Sequence, residues 1–349
     1  MVNLILKNID QGSYMKVLGI ETSCDETAAS VVSEEGVLSD VIWSQEIHQE
    51  FGGVVPELAS RAHVEKVVSC TRASLEKAGL EKPDLICATA GPGLIGAVLV
   101  GFSFAKAMAI GMGVPFLGVN HLEGHLLSPL LNDPAPEFPF LSMVVSGGHT
   151  TLYLVEGIGE YKVLGQTIDD AVGEAYDKVA RMMGRTYPGG PIIDSLAKQG
   201  NPKAIAFPRA NNLAKGNTRV ANLDRSALDM SFSGLKTAVR TYLERTPNWV
   251  AEDVAASFQE AVIDVLLNRI LVASKETGVE RIAIGGGVAA NSELRERITQ
   301  IGLESFVPPK SRCTDNGSMI AFVGRERYLA GFRSKMEDTA RSRWQVGVK

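Results

Sequence analysis

The chain has 349 residues, of which 40 are acidic and 35 basic, giving a formal net charge of −5 with 45% hydrophobic content. That length allows one or two lobes with real cores, and the charge excludes a globally basic nucleic-acid coat. The four cysteines stand singly at 24, 70, 87 and 313 with no C-x-x-C, so a disulfide framework and a structural zinc site are not expected and a reducing cytoplasm is.

In chain order, the opening MVNLILKNIDQGSYMKVLGIETS has no basic region followed by a sustained apolar core and a cleavage site, and does not read as a secretory signal. Met15 stands directly before the first strong strand, so residues 1–14 read as an extension or as an artefact of the start codon. KVLGIETS (16–23) and TAASVVS (27–33) predict two strands joined by a turn carrying Ser23, Asp25, Glu26 and Thr27. A helix is predicted over 55–79. Leu85 to Ala105 carries no charge and is long enough to span a bilayer, but its Gly-Pro-Gly would break a spanning helix and Lys106 follows at once. A buried strand DLICATA, a turn GPGLIG and an apolar helix to about Ile110 fit better, in a soluble protein. PFLGVN is the next strand and leads into a helix with His121 and His125, after which prolines over 128–141 mark a connection between lobes.

The order then repeats. FLSMVVSGGHTTLYLVEG (140–157) is again strand, polar turn and strand, and ERIAIGGGVAANSELRERI (280–298) is strand, glycine run and helix, matching DLICATAGPGLIGAVLVGF in the first half. Two halves with one order suggest a duplicated α/β lobe; coincidence among common elements is the plainer alternative. Charge divides unevenly along the chain. Met1 to Asn120 holds 8 basic and 14 acidic residues, whereas 181–245 holds 11 basic residues, among them Lys215, Arg219 and Arg225, against four acidic ones. A local basic surface on an acidic protein suits docking of one polyanion, although a solvated surface with scattered counter-ions has the same composition.

His121 and His125 are spaced so that both rings leave one face of a helix, able to hold one metal ion or to serve as solvated or capping groups. A catalytic metal takes about three protein ligands, and Asp315 in KSRCTDNGSMIAFVG offers the third unless it is the N-cap of the helix that follows. Glu123 lies two positions from His121 and about 200° around the helix, badly placed to be the base that follows the first histidine in H-E-x-x-H zinc peptidases. SGGHT and GGGVAAN expose backbone N–H groups that suit a phosphate or ribose, each a weak signal alone. No P-loop and no convincing G-x-G-x-x-G is present. In residues 169–197, Glu174 and Asp177 lie three apart on a helix and YPGGP turns the chain towards Asp194; these acids suit ribose hydroxyls or a ligand amine, or caps and solvated faces. No Ser-His-Asp order and no activated cysteine offers a covalent nucleophile.

GIETSCDET, NHLEGH, VSGGHT, EAYDKVARMMG, YPGGP, SFSGLKT, GGGVAAN and CTDNG together resemble the tRNA adenosine threonylcarbamoyltransferase family, formerly described as sialoglycoprotein endopeptidases, in its bacterial form, from about Met15 to Gly324. The resemblance implies a duplicated, two-lobed actin/hexokinase-like α/β fold with a central cleft. Its lobes would be 15–135 and 136–310, with 311–349 as a metal-ligand turn and a C-terminal helix closing on the first lobe. It implies one divalent metal, iron or zinc, on His121, His125 and Asp315. It also implies adenylate contacts from Val144, Val145, Ser146, Gly147, Gly148, Asp177, Gly190, Asp194 and Asn291. The activity implied is transfer of a threonylcarbamoyl group from threonylcarbamoyl-AMP to the exocyclic amine of the adenosine beside the tRNA anticodon. A smaller paralogous subunit and a P-loop ATPase are the implied partners, in the cytoplasm. Asp25 or Glu26 on the first hairpin turn is the expected base, and 181–245 the expected tRNA surface. A metal-dependent peptidase, a sugar or acyl kinase and a catalytically silent scaffold are the competing functions.

Overall fold

The structure, a computed structural model, describes residues 14–209 and 227–347. Residues 1–13 of the leading extension, and Lys215, Arg219 and Arg225 of the basic segment, lie outside the described residues.

Two five-stranded mixed sheets organise the chain. The first runs β3(Gly36–Ser44)-β2(Glu26–Ser33)-β1(Val17–Glu21)-β4(Leu85–Gly91)-β5(Phe116–Asn120). The second runs β8(Glu160–Gln166)-β7(Thr150–Gly157)-β6(Phe140–Val145)-β9(Arg281–Gly285)-β10(Glu304–Phe306). In each, an antiparallel meander is continued on the far side of its first strand by two parallel strands: β1 pairs β2 antiparallel and β4 parallel, as β6 pairs β7 antiparallel and β9 parallel. The duplicated order expected from the sequence is therefore a duplicated topology. The third meander strands, β3 and β8, and the short β10 had no counterpart in the sequence reading. β3 and β8 are mostly half-buried or exposed with polar residues interleaved, and β10 has only three residues.

By internal packing the chain divides into two units. The first comprises the described residues within Met1–Gln45, Pro56–Gly124 and Asn316–Gln345, and the second those within Glu46–Val55, His125–Asp315 and Val346–Lys349. In the first, helix α1(Pro56–Lys77) opens with proline at N1 and Glu57 in its first turn, both favourable at a helix start. It buries Ala59, His63, Val67, Cys70, Thr71 and Ser74, one stripe at helical spacing, against β2 and β3. Helix α2(Ile95–Met112) ends on Gly113 in the left-handed conformation and lays Ala97, Val98, Phe102 and Ala105 on the sheet. By length and composition α2 could cross a membrane, but it follows β4 through the Gly91-Pro92-Gly93 turn and packs on β4, β1 and α1. In the second unit the remaining helices are α4(Val172–Met182), α5(Gly189–Ala197), α6(Ser233–Arg245), α7(Ala251–Thr277) and α8(Ser292–Ile298). α7 is buried nearly all round, from Val254 to Ser274, and forms the middle of a core with Tyr176, Phe232, Ile282 and Ile284.

A last helix, α9(Gly317–Leu329), lies on β1 and β2 of the first unit. Gly19 sits in mid-strand beneath it, where a Cβ would collide with the backbone of Gly317 and Ala321. Gly317 in turn faces the Ser30 N at 2.6 Å from where its own Cβ would be. Backbone meets backbone here, and neither partner has a side chain that can swing aside. Gly19→Ala is therefore expected to lower stability by about 3 kcal/mol, the upper part of the range for over-packing, read as a fall in unfolding midpoint in denaturant.

Candidate active site

The histidine helix α3(His121–Leu127) is set by the residue before it. Asn120 closes β5, and its Oδ1 accepts the peptide N–H groups of Leu122 (2.9 Å) and Glu123 (3.2 Å), donors that a first helical turn otherwise leaves unsatisfied. His121 and His125 then stand one turn apart, 8% and 0% exposed. Glu123 leaves in another direction and accepts a 2.6 Å hydrogen bond from Arg327 Nε on α9. Gly124, between the two histidines, lets α3 approach α9: a Cβ there would stand 3.0 Å from Met319 Cγ.

Asp315 and Asn316 are both good helix caps, and the structure uses the second. Asn316 Oδ1 accepts the Met319 N–H at 2.9 Å and the Ser318 hydroxyl at 2.6 Å, capping α9. Asp315 is left outside the helix with its Oδ1 2.9 Å from His125 Nε2. One nitrogen of each ring and one Asp315 oxygen lie within 4.8 Å of one another. Bonds of about 2.0–2.2 Å to a single ion require only a modest closing of that triangle. Two imidazoles and a carboxylate suit zinc or iron(II) and leave positions open for water or substrate, so the residues fit a catalytic divalent metal.

The expected adenylate residues all belong to the second unit and gather where β6 and β9, paired in parallel through Val144 and Gly285, end. Ligands of open α/β sheets bind outside the carboxyl ends of parallel strands. Val144 and Val145 are buried at the end of β6, and Ser146-Gly147-Gly148 form the turn into β7. That turn is held by the Ser146 N–H on the His149 carbonyl (2.8 Å) and the His149 N–H on Ser146 Oγ (3.1 Å). Asp177, on α4, accepts the Gly189 N–H at 2.7 Å and so fixes the start of α5, on which Gly190 and Asp194 follow. Asp194 accepts the Ser292 hydroxyl at 2.8 Å, and Asn291 caps α8 through the Leu294 N–H at 3.0 Å while donating to Gln259 Oε1 at 2.6 Å. Gly147, Gly148, Gly190 and Gly287 have no atom within 4 Å of where a Cβ would be, so space stands open over their backbone. The rest of the GGGVAAN run has another use: a Cβ on Gly285 would collide with the His125 carbonyl, and one on Gly286 with the Val145 carbonyl.

Asp25 lies in the turn after β1 and Glu26 opens β2; both are half-buried, and the Asp25 carbonyl accepts the Gln45 N–H at 3.1 Å. Asp169 and Asp170 have structural partners. Burial alone would raise their carboxyl pKa values, but the hydroxyls and peptide N–H groups of Ser231 to Ser233 on Asp169, and Lys236 and Lys178 on Asp170, outweigh it and hold both low. Burial pushes the thiols of Cys70, Cys87 and Cys313 up, the reverse of what a nucleophilic thiolate needs. The sequence singles out Ser23 only as a turn residue and gives no role to Glu21, Thr89 or Gln259. The one available signal was an acid closing the apolar strand VLGIE.

Residues 36–322 match the family model of tRNA N6-adenosine threonylcarbamoyltransferase. The chain belongs to that family. The enzyme of that name from Bordetella avium is 47% identical over 350 residues, covering 95% of this chain and 98% of the relative. That from Trichlorobacter lovleyi is 48% identical over 345 residues, covering 95% and 97%. Among solved structures, HypF of T. kodakarensis superposes with a TM-score of 0.58 at 16% identity over 93% of this chain and 49% of its own. Component A of the Acidaminococcus fermentans (R)-2-hydroxyglutaryl-CoA dehydratase does so with a TM-score of 0.51 at 16% identity, covering 90% and 99%. These likenesses show the two-lobed ASKHA-type fold, the actin/hexokinase-like class expected. If the triad is the family's metal centre here, Asp315→Ala removes zinc or iron from the purified chain, measured by elemental analysis after dialysis, while its circular dichroism stays native because Asn316, not Asp315, caps α9.

Proposed function

We propose that the chain transfers the threonylcarbamoyl group of threonylcarbamoyl-AMP to the N6 amine of the adenosine beside the anticodon in tRNAs reading codons that begin with adenine. The observation that carries this reading is membership of the threonylcarbamoyltransferase family along 95% of the chain, with His121, His125 and Asp315 brought together in the fold. The donor is a mixed anhydride. The N6 lone pair attacks its carbamoyl carbon, a C–N bond forms, the bond from that carbon to the phosphate oxygen breaks, and AMP leaves with the electron pair. The proton lost by the amine goes to a base, which we assign to Asp25 or Glu26. The chain's further task is to hold the AMP end. Val144 to Gly148 would line it, with bare backbone at Gly147, Gly148 and Gly190, and Asp177, Asp194 and Asn291 offer polar groups already anchored to Gly189, Ser292 and Gln259. A divalent ion, iron or zinc, held by His121, His125 and Asp315 would supply a Lewis acid for the threonylcarbamoyl end.

The absence of a P-loop from the sequence supports a separate P-loop ATPase as partner, beside a smaller paralogous subunit, in the cytoplasm. For the tRNA surface we assign the basic segment 181–245. Among its described residues Arg209, Lys236, Lys198 and Arg240 stand in ion pairs with Asp264, Asp170, Asp194 and Glu244, which leaves Arg181, Arg185, Lys203 and Arg245 to offer. A peptidase has less in its favour, since Glu123 is paired with Arg327.

Nucleoside analysis of tRNA after incubation with threonylcarbamoyl-AMP and the two partners tests the reading: threonylcarbamoyladenosine is expected, and its absence under conditions that load the metal would refute it. Of Asp25→Asn and Glu26→Gln, the one that removes the base should lower kcat by about 100-fold or more with KM for tRNA little changed. Gly147→Val has room in the fold, so its melting temperature should match the parent while AMP affinity falls at least about tenfold, or about 1.4 kcal/mol, in calorimetry.

A further inference from the structure

Glu21 closes β1, a strand whose five residues are all buried, and is itself 0% exposed. A carboxylate in such a place needs donors, and they come from three parts of the first unit. Oε1 accepts the Ser23 N–H from the turn that follows, Oε2 accepts the Thr89 hydroxyl from β4, and Oε2 also lies 2.9 Å from His121 Nδ1 at the start of α3. Ser23 Oγ stands 3.1 Å from that same ring nitrogen. Nδ1 thus faces a buried acid and a hydroxyl, on the side of the ring away from Nε2.

We propose that Glu21 is a positioning residue for the metal centre: by accepting the Nδ1–H of His121 it fixes the ring's tautomer and rotation and presents Nε2 as the ligand. This rests on the metal reading of His121, His125 and Asp315. A histidine ligand whose other nitrogen donates to a carboxylate is both oriented and made more basic, and loss of such a partner weakens metal binding by roughly 10–100-fold. Glutamate is the side chain that meets the need. Glutamine keeps the length but has one acceptor oxygen for the three donors, and aspartate is one methylene too short to reach them. Thr89 steadies the same oxygen from a neighbouring strand without touching the imidazole's metal-facing side.

The full chain, loaded with a spin-active cadmium isotope and carrying nitrogen-labelled histidine, should show cadmium coupled to Nε2 of His121 with a proton retained on Nδ1. Coupling through Nδ1 would overturn the proposal without any variant. In competition with a chromophoric chelator, Glu21→Gln should bind zinc about 10–100-fold more weakly than the parent, and Thr89→Val should fall between them. Parental zinc affinity in a folded Glu21→Gln overturns it too; should that variant fail to fold, Thr89→Val and the cadmium coupling decide. A parent chain that takes up neither metal refutes the metal reading itself, whereas a parent that binds zinc only through His121 Nδ1 refutes Glu21's role alone.

Discussion

The arrangement depends on three glycines at which a neighbouring element comes closer than a Cβ would comfortably allow. Gly19 in β1 receives the first turn of α9, Gly124 in the histidine helix lies against Met319 and Ile320 of that same helix, and Gly285 at the end of β9 receives the carbonyl of His125. Each contact bears on the placement of His121, His125 or Asp315. The first places Asn316 and with it Asp315, the second sets α3 against the helix that Asp315 precedes, and the third holds the far turn of α3. The first and third are backbone against backbone, where no rotamer can absorb a shift; the second meets the side chains of Met319 and Ile320.

The duplicated topology gives the two units the same scaffold and different chemistry at corresponding points. At the carboxyl ends of the parallel strands in the first sheet stand side chains: Glu21 after β1 and His121 after β5. At the corresponding ends of the second sheet stand glycine turns: Ser146-Gly147-Gly148 after β6 and Gly286-Gly287 after β9. Polar side chains stand at one sheet end; peptide N–H groups with open space over Gly147, Gly148 and Gly287 stand at the other. The polar side chains around that second end are tied to one another through Asp194, Ser292, Asn291 and Gln259, so their orientation precedes any ligand.

What could be read from the sequence follows from how each element is buried. β1, β4, β6 and β9 are apolar along nearly their whole length, and their runs stand out; β3 and β8 mix exposed polar positions with buried ones, and the reading passed over them. The histidine pair was legible because its spacing is a property of one helix. Asp315 was legible only as an alternative, since Asp and Asn adjacent before an apolar helix are equally good caps, and the choice of Asn316 is made by packing on β1 and β2. Glycine runs misled in part: GGGVAAN reads as a phosphate seat, yet its first two glycines admit the carbonyls of His125 and Val145, which no local pattern announces. Glu21 was passed over for a similar reason, its partners Thr89 and His121 being 68 and 100 residues away.

The chemistry these residues allow is narrower than the metal triad alone would suggest. In a zinc peptidase an acid beside the metal activates water, but the acid of the histidine helix, Glu123, is 4% exposed and bonded to Arg327 at 2.6 Å, so its charge is spent on holding α3 to α9. A covalent route would need an activated thiol or hydroxyl, and burial pushes the Cys70, Cys87 and Cys313 thiols the wrong way. With Glu123 held by Arg327 and these three thiols buried, the simpler route for a carbonyl compound oriented here is attack by an atom that a second substrate brings. An acyl-type transfer to an incoming amine takes that route; hydrolysis does not. The bond that holds the histidine helix to α9 therefore also occupies the acid of that helix which a zinc peptidase would turn on water.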